Sequence, residues 1–246
     1  MDDQIKKFKE ECEERVRSYG KNEKLIELGK KFSCETLANQ YSYNFSWMGR
    51  PVIQHPQDIV MMQELIWSIK PDLIIETGIA HGGSAIMYAG FMEMMNLHES
   101  RVLAIDIDIR EHNRKAIEDH PMCKRITMLE GSSISEDIID QVSDFAKDFN
   151  NIIVVLDSNH THEHVLAELK AYAPLVSIDS YCVVFDTIVE DMPESSYPNR
   201  PWNKSKNPKT AVWEYLEEND DFEIDKDIEY KLLATAAPDG YLKRIK

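Results

Sequence analysis

The fold is decided by residues 73–84, LIIETGIAHGGS, where a short apolar run ends in a glycine-rich turn. The run predicts a buried strand, and the residues from Ser84 onward predict a helix. Glycines at 78, 82 and 83 permit a tight turn and let a ligand lie against bare backbone. The helix start offers free N–H groups to a carboxylate or phosphate. The spacing is G-x-x-x-G-G rather than the dinucleotide G-x-G-x-x-G, so tight packing alone stays an alternative interpretation.

The same rhythm of apolar runs and amphipathic stretches continues along the chain. The predicted strands are 73–76, 102–106, 125–129, 152–156, 181–185, 222–230 and 241–245, and the predicted helices are 58–70, 84–97, 110–120, 135–149, 162–173 and 209–219. Apolar strands that alternate with helices predict an α/β fold with a doubly wound, mostly parallel sheet. Ligands of such sheets bind at the carboxyl ends of the strands.

Two regions flank this pattern. Residues 1–45 predict two helices that form an N-terminal helical cap on a main domain of residues 46–246, with a solvated extension as the alternative. Long loops are predicted at 41–56 and 193–208, and loops of the latter length often act as lids. Three aromatic side chains in these loops can either stack on a sugar or pack internally: Trp47, Tyr197 and Trp202.

Composition excludes several classes of protein. The 246 residues are 43% hydrophobic with a formal net charge of −16, which is typical of a globular domain and unfavourable for nucleic acid binding. No apolar run is long enough for a membrane span. Four scattered cysteines and the absence of an export signal predict a cytoplasmic protein. The amphipathic N-terminal helices could also pair between copies in a homo-oligomer.

The first three strand ends predict a nucleoside site. Asp106 lies about 28 residues after Gly78, where an acidic residue accepts both ribose hydroxyls. S-adenosylmethionine fits this arrangement, whereas NAD would need a second phosphate cradle. The predicted donor-binding residues are Glu76, Thr77, Gly78, His81, Gly82, Gly83, Ser84, Asp106, Ile107, Gly131, Ser132, Ser133 and Asp157.

The fourth and fifth strand ends predict a metal site and a base. Asp157 and Asp186 would hold magnesium, which lowers the pKa of a substrate hydroxyl. His160 lies three residues after Asp157 and is the predicted general base. The alternative is that both aspartates merely cap the following helices. A zinc site at His160, His162 and His164 is disfavoured because no H-E-x-x-H motif is present.

Seven motifs together resemble one family. They are Trp47-x-Gly49, Gln54-x-Pro56-x-Asp58, 70–85, 157–165, 172–176, Asn207-Pro208-x-x-Ala211 and 240–244. The sequence resembles the family that groups cephalosporin hydroxylase with rhamnosyl O-methyltransferase, which has a class I methyltransferase fold. The resemblance implies seven strands with the last antiparallel, S-adenosylmethionine at the first two strand ends, and magnesium near Asp157 and Asp186. More distantly, the sequence is similar to catechol O-methyltransferase, where a base also follows the metal-binding aspartate by three residues.

One departure from the family concerns the metal. Relatives often show Glu-Asp where this chain has Phe185-Asp186, so Thr187, Glu190 or water would complete the coordination. The expected function is methyl transfer from S-adenosylmethionine to a hydroxyl of a sugar or small metabolite. The alternatives are a non-catalytic accessory subunit that binds the donor, or a hydroxylase, for which no iron site is visible in the sequence.

Overall fold

A seven-stranded sheet runs through the centre of the computed structural model, which describes residues 3–196 and 198–246. Tyr197, one of the predicted loop aromatics, lies outside the described residues, as do Met1 and Asp2. The strands are β1 (Phe45–Trp47), β2 (Arg50–Val52), β3 (Leu73–Thr77), β4 (Arg101–Asp106), β5 (Ile126–Glu130), β6 (Ile152–Leu156), β7 (Tyr181–Val184), β8 (Phe222–Ile224) and β9 (Tyr241–Arg244). The helices are α1 (Asp3–Tyr19), α2 (Glu23–Ala38), α3 (Pro56–Ile69), α4 (Gly83–Met94), α5 (Glu111–Glu118), α6 (Glu136–Ala146), α7 (His162–Tyr172), α8 (Pro208–Glu218) and α9 (Lys226–Leu232).

The strand order confirms the predicted doubly wound sheet. It is β5-β4-β3-β6-β7-β9-β8, and β9 alone runs antiparallel to its neighbours β7 and β8. The chain builds outward from β3 to β4 and β5, then returns to place β6 on the other side of β3. A parallel sheet opens a crevice at such a reversal, beyond the carboxyl ends of its strands.

Both faces of the sheet are covered, which explains why its strands are continuously apolar. Ile74 and Val155 point into a core formed with α3, α4 and α9. Leu73, Ile75 and Val154 point into a second core formed with α6, α7 and α8. Each fully buried aliphatic side chain contributes about 1.5–3 kcal/mol, so these runs hold the strand ends in fixed positions.

The predicted strand 222–230 is wrong over most of its length. Only Phe222–Ile224 is a strand, and α9 follows it. Asp225 explains the change, because its side chain accepts a hydrogen bond from the backbone N of Asp227 at 3.2 Å and caps the helix. Ile228 then turns into the core on the α9 side of the sheet.

The predicted loop at 41–56 contains a hairpin of β1 and β2. Met48 and Gly49 form its turn with φ of 45° and 85°, the positive angles that two-residue hairpins favour. Trp47 packs edge-on against Phe91 of α4 with ring centroids 4.9 Å apart. The two interpretations of Trp47 are thereby resolved in favour of packing.

The two predicted N-terminal helices are present as α1 and α2. Residues Asp3–Tyr19 bury none of their side chains, whereas α2 attaches to the rest of the chain through an ion pair of 2.7 Å between Lys30 and Asp191. The division into a cap and a main domain at residue 45 stays a prediction. Within the described ranges, no helix has the length and apolarity needed to cross a membrane.

Candidate active site

A cleft of about 580 Å³ opens at the carboxyl ends of the central strands. Gly78 follows β3, Asp157 follows β6 and Asp186 follows β7 by two residues, and all three line it. Parallel strands deliver their carboxyl ends to one edge of the sheet, so the register of β3, β6 and β7 brings these residues together. The ends of β3, β6 and β7 therefore meet at one cleft.

The glycine turn is fixed by close backbone contacts. Gly78 has φ +95°, and a Cβ at this position would lie 2.1 Å from the carbonyl oxygen of Asp157. A Cβ on Gly83 would lie 1.9 Å from the carbonyl oxygen of Pro51. These glycines therefore let β6 and the β2 segment approach the turn, in addition to leaving bare backbone for a ligand.

Asp106, at the end of β4, holds this turn from the side. Its Oδ2 accepts hydrogen bonds from the backbone N of Ile79 at 2.8 Å and of Ala80 at 3.1 Å, and its Oδ1 accepts from the N of Asp108 at 3.1 Å. A carboxylate has about four lone-pair positions, so about one position is left to accept from a ligand hydroxyl. The structure thus places Asp106 beside the glycine turn, as the sequence predicted.

Two residues that hold the turn from other elements were missed by the sequence analysis. Arg50 donates to the carbonyl oxygen of His81 at 2.6 and 3.0 Å and to Oδ1 of Asn113 at 2.9 Å. Asn113 donates in turn to the carbonyl oxygen of Ala80 at 2.8 Å. Arg50 directly follows the Trp47-x-Gly49 motif, but no local pattern shows that its side chain reaches residue 81.

The remaining predicted donor residues divide into two groups. His81 and Ser84 line the cleft, whereas Asp106, Ile107 and residues 131–133 lie outside its lining. Ile107 is 73% exposed. The buried Ser133 hydroxyl donates to Oε1 of Glu168 in α7 at 2.6 Å. It was expected to face the adenine of the donor, but it is engaged by this helix instead. Gly131 and Ser132 lie beside Ser133 in the turn after β5. Gly82 directly precedes α4.

A buried polar cluster lies behind the glycine turn. Both carboxyl oxygens of Glu76, both amide atoms of Gln54 and the hydroxyl of Tyr88 are buried, and none makes a well-formed hydrogen bond in the described part of the chain. Burial raises the pKa of Glu76 to about 8, against a smaller opposing effect of the nearby Ser84 hydroxyl. Thr77, whose hydroxyl is also unpaired, completes this set. Such orphaned groups are uncommon in folded proteins and indicate a place for ligand or water.

Asp157, His160 and Asp186 form a compact acidic cluster. One ligand atom of each lies within 4.8 Å of the others, and Nε2 of His160 is 3.1 Å from Oδ2 of Asp186. Burial raises the pKa of Asp157 well above its ordinary value, and the Asp186 and Glu76 carboxyls raise it further. A divalent cation would relieve this repulsion, and two carboxylates with water are a chemically suitable donor set for magnesium.

Thr187 does not join this cluster. Its hydroxyl is fully buried and donates to the carbonyl oxygen of Pro238 at 2.6 Å, so its prediction as a metal ligand is corrected. Glu190 is also engaged, because its Oε2 accepts from the side-chain Nδ2 of Asn207 at 2.6 Å. Phe185 is buried in the core. Among the three predicted metal ligands, only Asp157 and Asp186 therefore belong to the cluster, and His160 lies beside them.

His162 and His164, the other two histidines of the 160–164 segment, contact residues outside the cluster. His162 contacts Oγ1 of Thr210 at 2.8 Å and Oε2 of Glu214 at 3.0 Å. His164 lies 3.0 Å from the Ser133 hydroxyl. Among the described residues, these two do not belong to any group of side chains placed to hold a metal.

Comparisons with known proteins identify the family and support the fold. The model of the family Rhamnosyl O-methyltransferase/CmcI matches residues 39–245. Rhamnosyl O-methyltransferase of Mycobacterium tuberculosis (strain ATCC 25618 / H37Rv) is 31% identical over 204 residues, which cover 81% of this chain and 78% of the relative. The Mycobacterium leprae (strain TN) protein of the same name is 30% identical, with 81% and 82% covered. The solved structure cmcI-D160 Mg-SAM superposes with a TM-score of 0.59 at 18% identity, covering 83% of this chain and 78% of that one.

Proposed function

Because the chain belongs to the rhamnosyl O-methyltransferase/CmcI family, we propose that it transfers a methyl group from S-adenosylmethionine to a hydroxyl of a sugar. The relatives are named for methyl transfer to rhamnosyl groups, and the solved neighbour was described with magnesium and S-adenosylmethionine. The proposal for this chain rests on one observation: the glycine turn and the cluster of Asp157, His160 and Asp186 share a single cleft.

The donor would occupy the glycine-turn side of this cleft. The start of α4 at Gly83 presents free N–H groups to the methionine carboxylate, and Ser84 adds a hydroxyl beside them. Asp106 has about one acceptor position left for a ribose hydroxyl. The sulfonium methyl then needs alignment with an activated oxygen more than any other assistance.

The acceptor would occupy the side formed by the acidic cluster. Asp157 and Asp186 would hold magnesium, which when bound lowers the pKa of an acceptor hydroxyl. His160 lies beside Asp186, which orients its ring and stabilises the imidazolium that forms. As the acceptor oxygen attacks the methyl carbon, the carbon–sulfur bond breaks and the hydroxyl proton passes to His160.

Calorimetry and mass spectrometry test this function directly. We expect the purified protein to bind S-adenosylmethionine and its demethylated product, and to add one methyl mass to a member of a panel of rhamnosides, nucleotide sugars and polysaccharide precursors. Chelation of magnesium should stop transfer while donor binding persists. A protein that binds no donor would contradict the proposal, and donor binding without any metal effect would favour an accessory role.

Two further properties belong to this proposal. All four cysteines are free thiols, which supports the predicted location in the reducing cytoplasm. The exposed Phe8 and Phe32 of the N-terminal helices support the predicted pairing of copies in a homo-oligomer. Measurement of the molar mass in solution tests the second point.

A further inference from the structure

A basic loop borders the acidic cleft. Residues 200–206 read RPWNKSK, with three basic residues and no acidic one, in a chain of net charge −16. Of the described residues that line the cleft, Arg200 alone is a lysine or arginine. Lys204 and Lys206 are exposed. Within residues 3–196 and 198–246, none of these three side chains forms an ion pair.

The basic loop is anchored beside the acidic cluster. Oε2 of Glu190 accepts hydrogen bonds from the backbone N of Ser205 at 2.7 Å and from Nδ2 of Asn207 at 2.6 Å. Glu190 belongs to the short helical turn Thr187–Asp191, which follows Asp186 directly. Because Glu190 is engaged with the loop backbone, it holds the basic residues in place without making an ion pair with them.

Aromatic contacts connect Arg200 to the proposed base. The Arg200 guanidinium lies over the Trp202 ring, 5.1 Å from its centroid. The Trp202 ring meets the His160 ring nearly at a right angle, with centroids 4.8 Å apart. The Arg200 charge, which has no carboxylate partner among the residues that the structure describes, is therefore separated from His160, the proposed base, by the Trp202 ring.

We propose that the acceptor is a sugar carrying a phosphate or diphosphate, which binds Arg200 while the sugar ring lies against Trp202 and presents a hydroxyl to His160. The inference rests on the proposed function and adds the chemical class of its acceptor. A guanidinium is a planar fork of donors that matches phosphate oxygens, and indole faces support sugar rings. Lys204 and Lys206 add longer-range attraction for the anion. A neutral glycoside would leave the guanidinium without a counter-charge.

Calorimetry on the protein loaded with demethylated donor and magnesium tests the acceptor class. The probes are dTDP-rhamnose, UDP-glucose, rhamnose 1-phosphate and the neutral methyl rhamnoside. We expect a phosphorylated sugar to bind at least about tenfold more tightly than methyl rhamnoside, and its binding to weaken as salt rises. Tight binding of rhamnose 1-phosphate identifies a monophosphate as sufficient, whereas preference for the nucleotide sugars identifies the diphosphate. Equal binding of neutral and phosphorylated sugars overturns the inference.

Substitution of Arg200 separates this inference from the proposed function. Arg200→Gln should weaken binding of the phosphorylated sugar about tenfold and reduce its salt dependence, with no change for methyl rhamnoside or for the donor. Arg17→Gln, which removes the same charge from exposed α1, should leave every affinity unchanged. Unaltered sugar binding in Arg200→Gln would refute the role of Arg200, whereas failure of the parent protein to bind donor would refute the function itself.

Discussion

The two halves of the cleft are built in different ways. The donor half, at the ends of β3 and β4, is held by backbone contacts: Gly78 abuts the carbonyl of Asp157, and Asp106 accepts from two turn amides. The acceptor half, at the ends of β6 and β7 with the basic loop, is made of side chains. Its carboxylates repel one another, and its arginine has no acidic partner among the described residues.

The two halves should therefore differ in how many substitutions they tolerate. A turn fixed by main-chain contact tolerates few substitutions, so it suits a donor that stays the same. Side chains on loops can change without disturbing the sheet, so they suit the recognition of an acceptor. The donor half is therefore expected to respond to substitution through folding, and the acceptor half through charge.

The largest effect is expected at Gly78, which tests the rigidity of the donor half. Gly78→Ala places a Cβ 2.1 Å from a backbone carbonyl at φ +95°, so we expect a loss of more than about 3 kcal/mol in the free energy of unfolding. Gly49→Ala is the matched control, because Gly49 has φ +85° but no atom within 4 Å of the added Cβ. It should cost about 1 kcal/mol. Equal losses in urea unfolding would contradict the steric explanation.

The acceptor half should show a loss of activity with a gain in stability. Asp157→Asn removes a partly buried carboxylate whose pKa is raised by burial and by neighbouring acids. Without metal at pH 8, we expect the variant to melt at a higher temperature than the parent. Its methyl transfer should fall about a thousandfold, because a bound cation supplies several kcal/mol. Magnesium should raise the melting temperature of the parent and of the exposed control Asp148→Asn, but not that of Asp157→Asn.

Glu76, behind the donor half, should control the pH dependence of stability. Its folded pKa of about 8 exceeds the unfolded value of about 4.3, so the folded state holds a proton that the unfolded state has lost. Between these values, stability of the parent should fall by about 1.4 kcal/mol per pH unit relative to Glu76→Gln. Chemical unfolding at pH 5, 6 and 7 measures this slope. The exposed control Glu217→Gln should show no pH-dependent difference from the parent.

The smallest effect is expected at Asp106. Asp106→Asn keeps one acceptor oxygen but loses the charge that strengthens its bonds to the turn amides, so donor affinity should fall about tenfold. Asp108→Asn, two residues further along the chain and exposed, should change the affinity less than twofold. Equal donor affinity of Asp106→Asn and the parent in calorimetry would show that the turn does not need this carboxylate.

Local patterns in the sequence determined the sheet and most of the strand-end residues. The apolar runs predict β3 and β6 because both faces of each strand are buried. Alternation with helices then places Gly78, Asp157 and Asp186 at one edge of the sheet. By contrast, the predicted strand 222–230 was wrong because the prediction followed the apolar pattern and overlooked Asp225, which caps the helix α9.

Tertiary structure alone decided which side chains are available at that edge. Asp58 and Tyr241 belong to separate motifs, yet the Tyr241 hydroxyl donates to Asp58 across the core at 2.9 Å. Thr187 and Ser133 were expected to face ligands, but other elements of the fold engage their hydroxyls. Arg50 reaches the glycine turn from β2, and Arg200 reaches the cleft from a loop distant in sequence. Periodicity reports burial along one element, whereas hydrogen-bond partners depend on which elements meet, and no single stretch of chain contains that information.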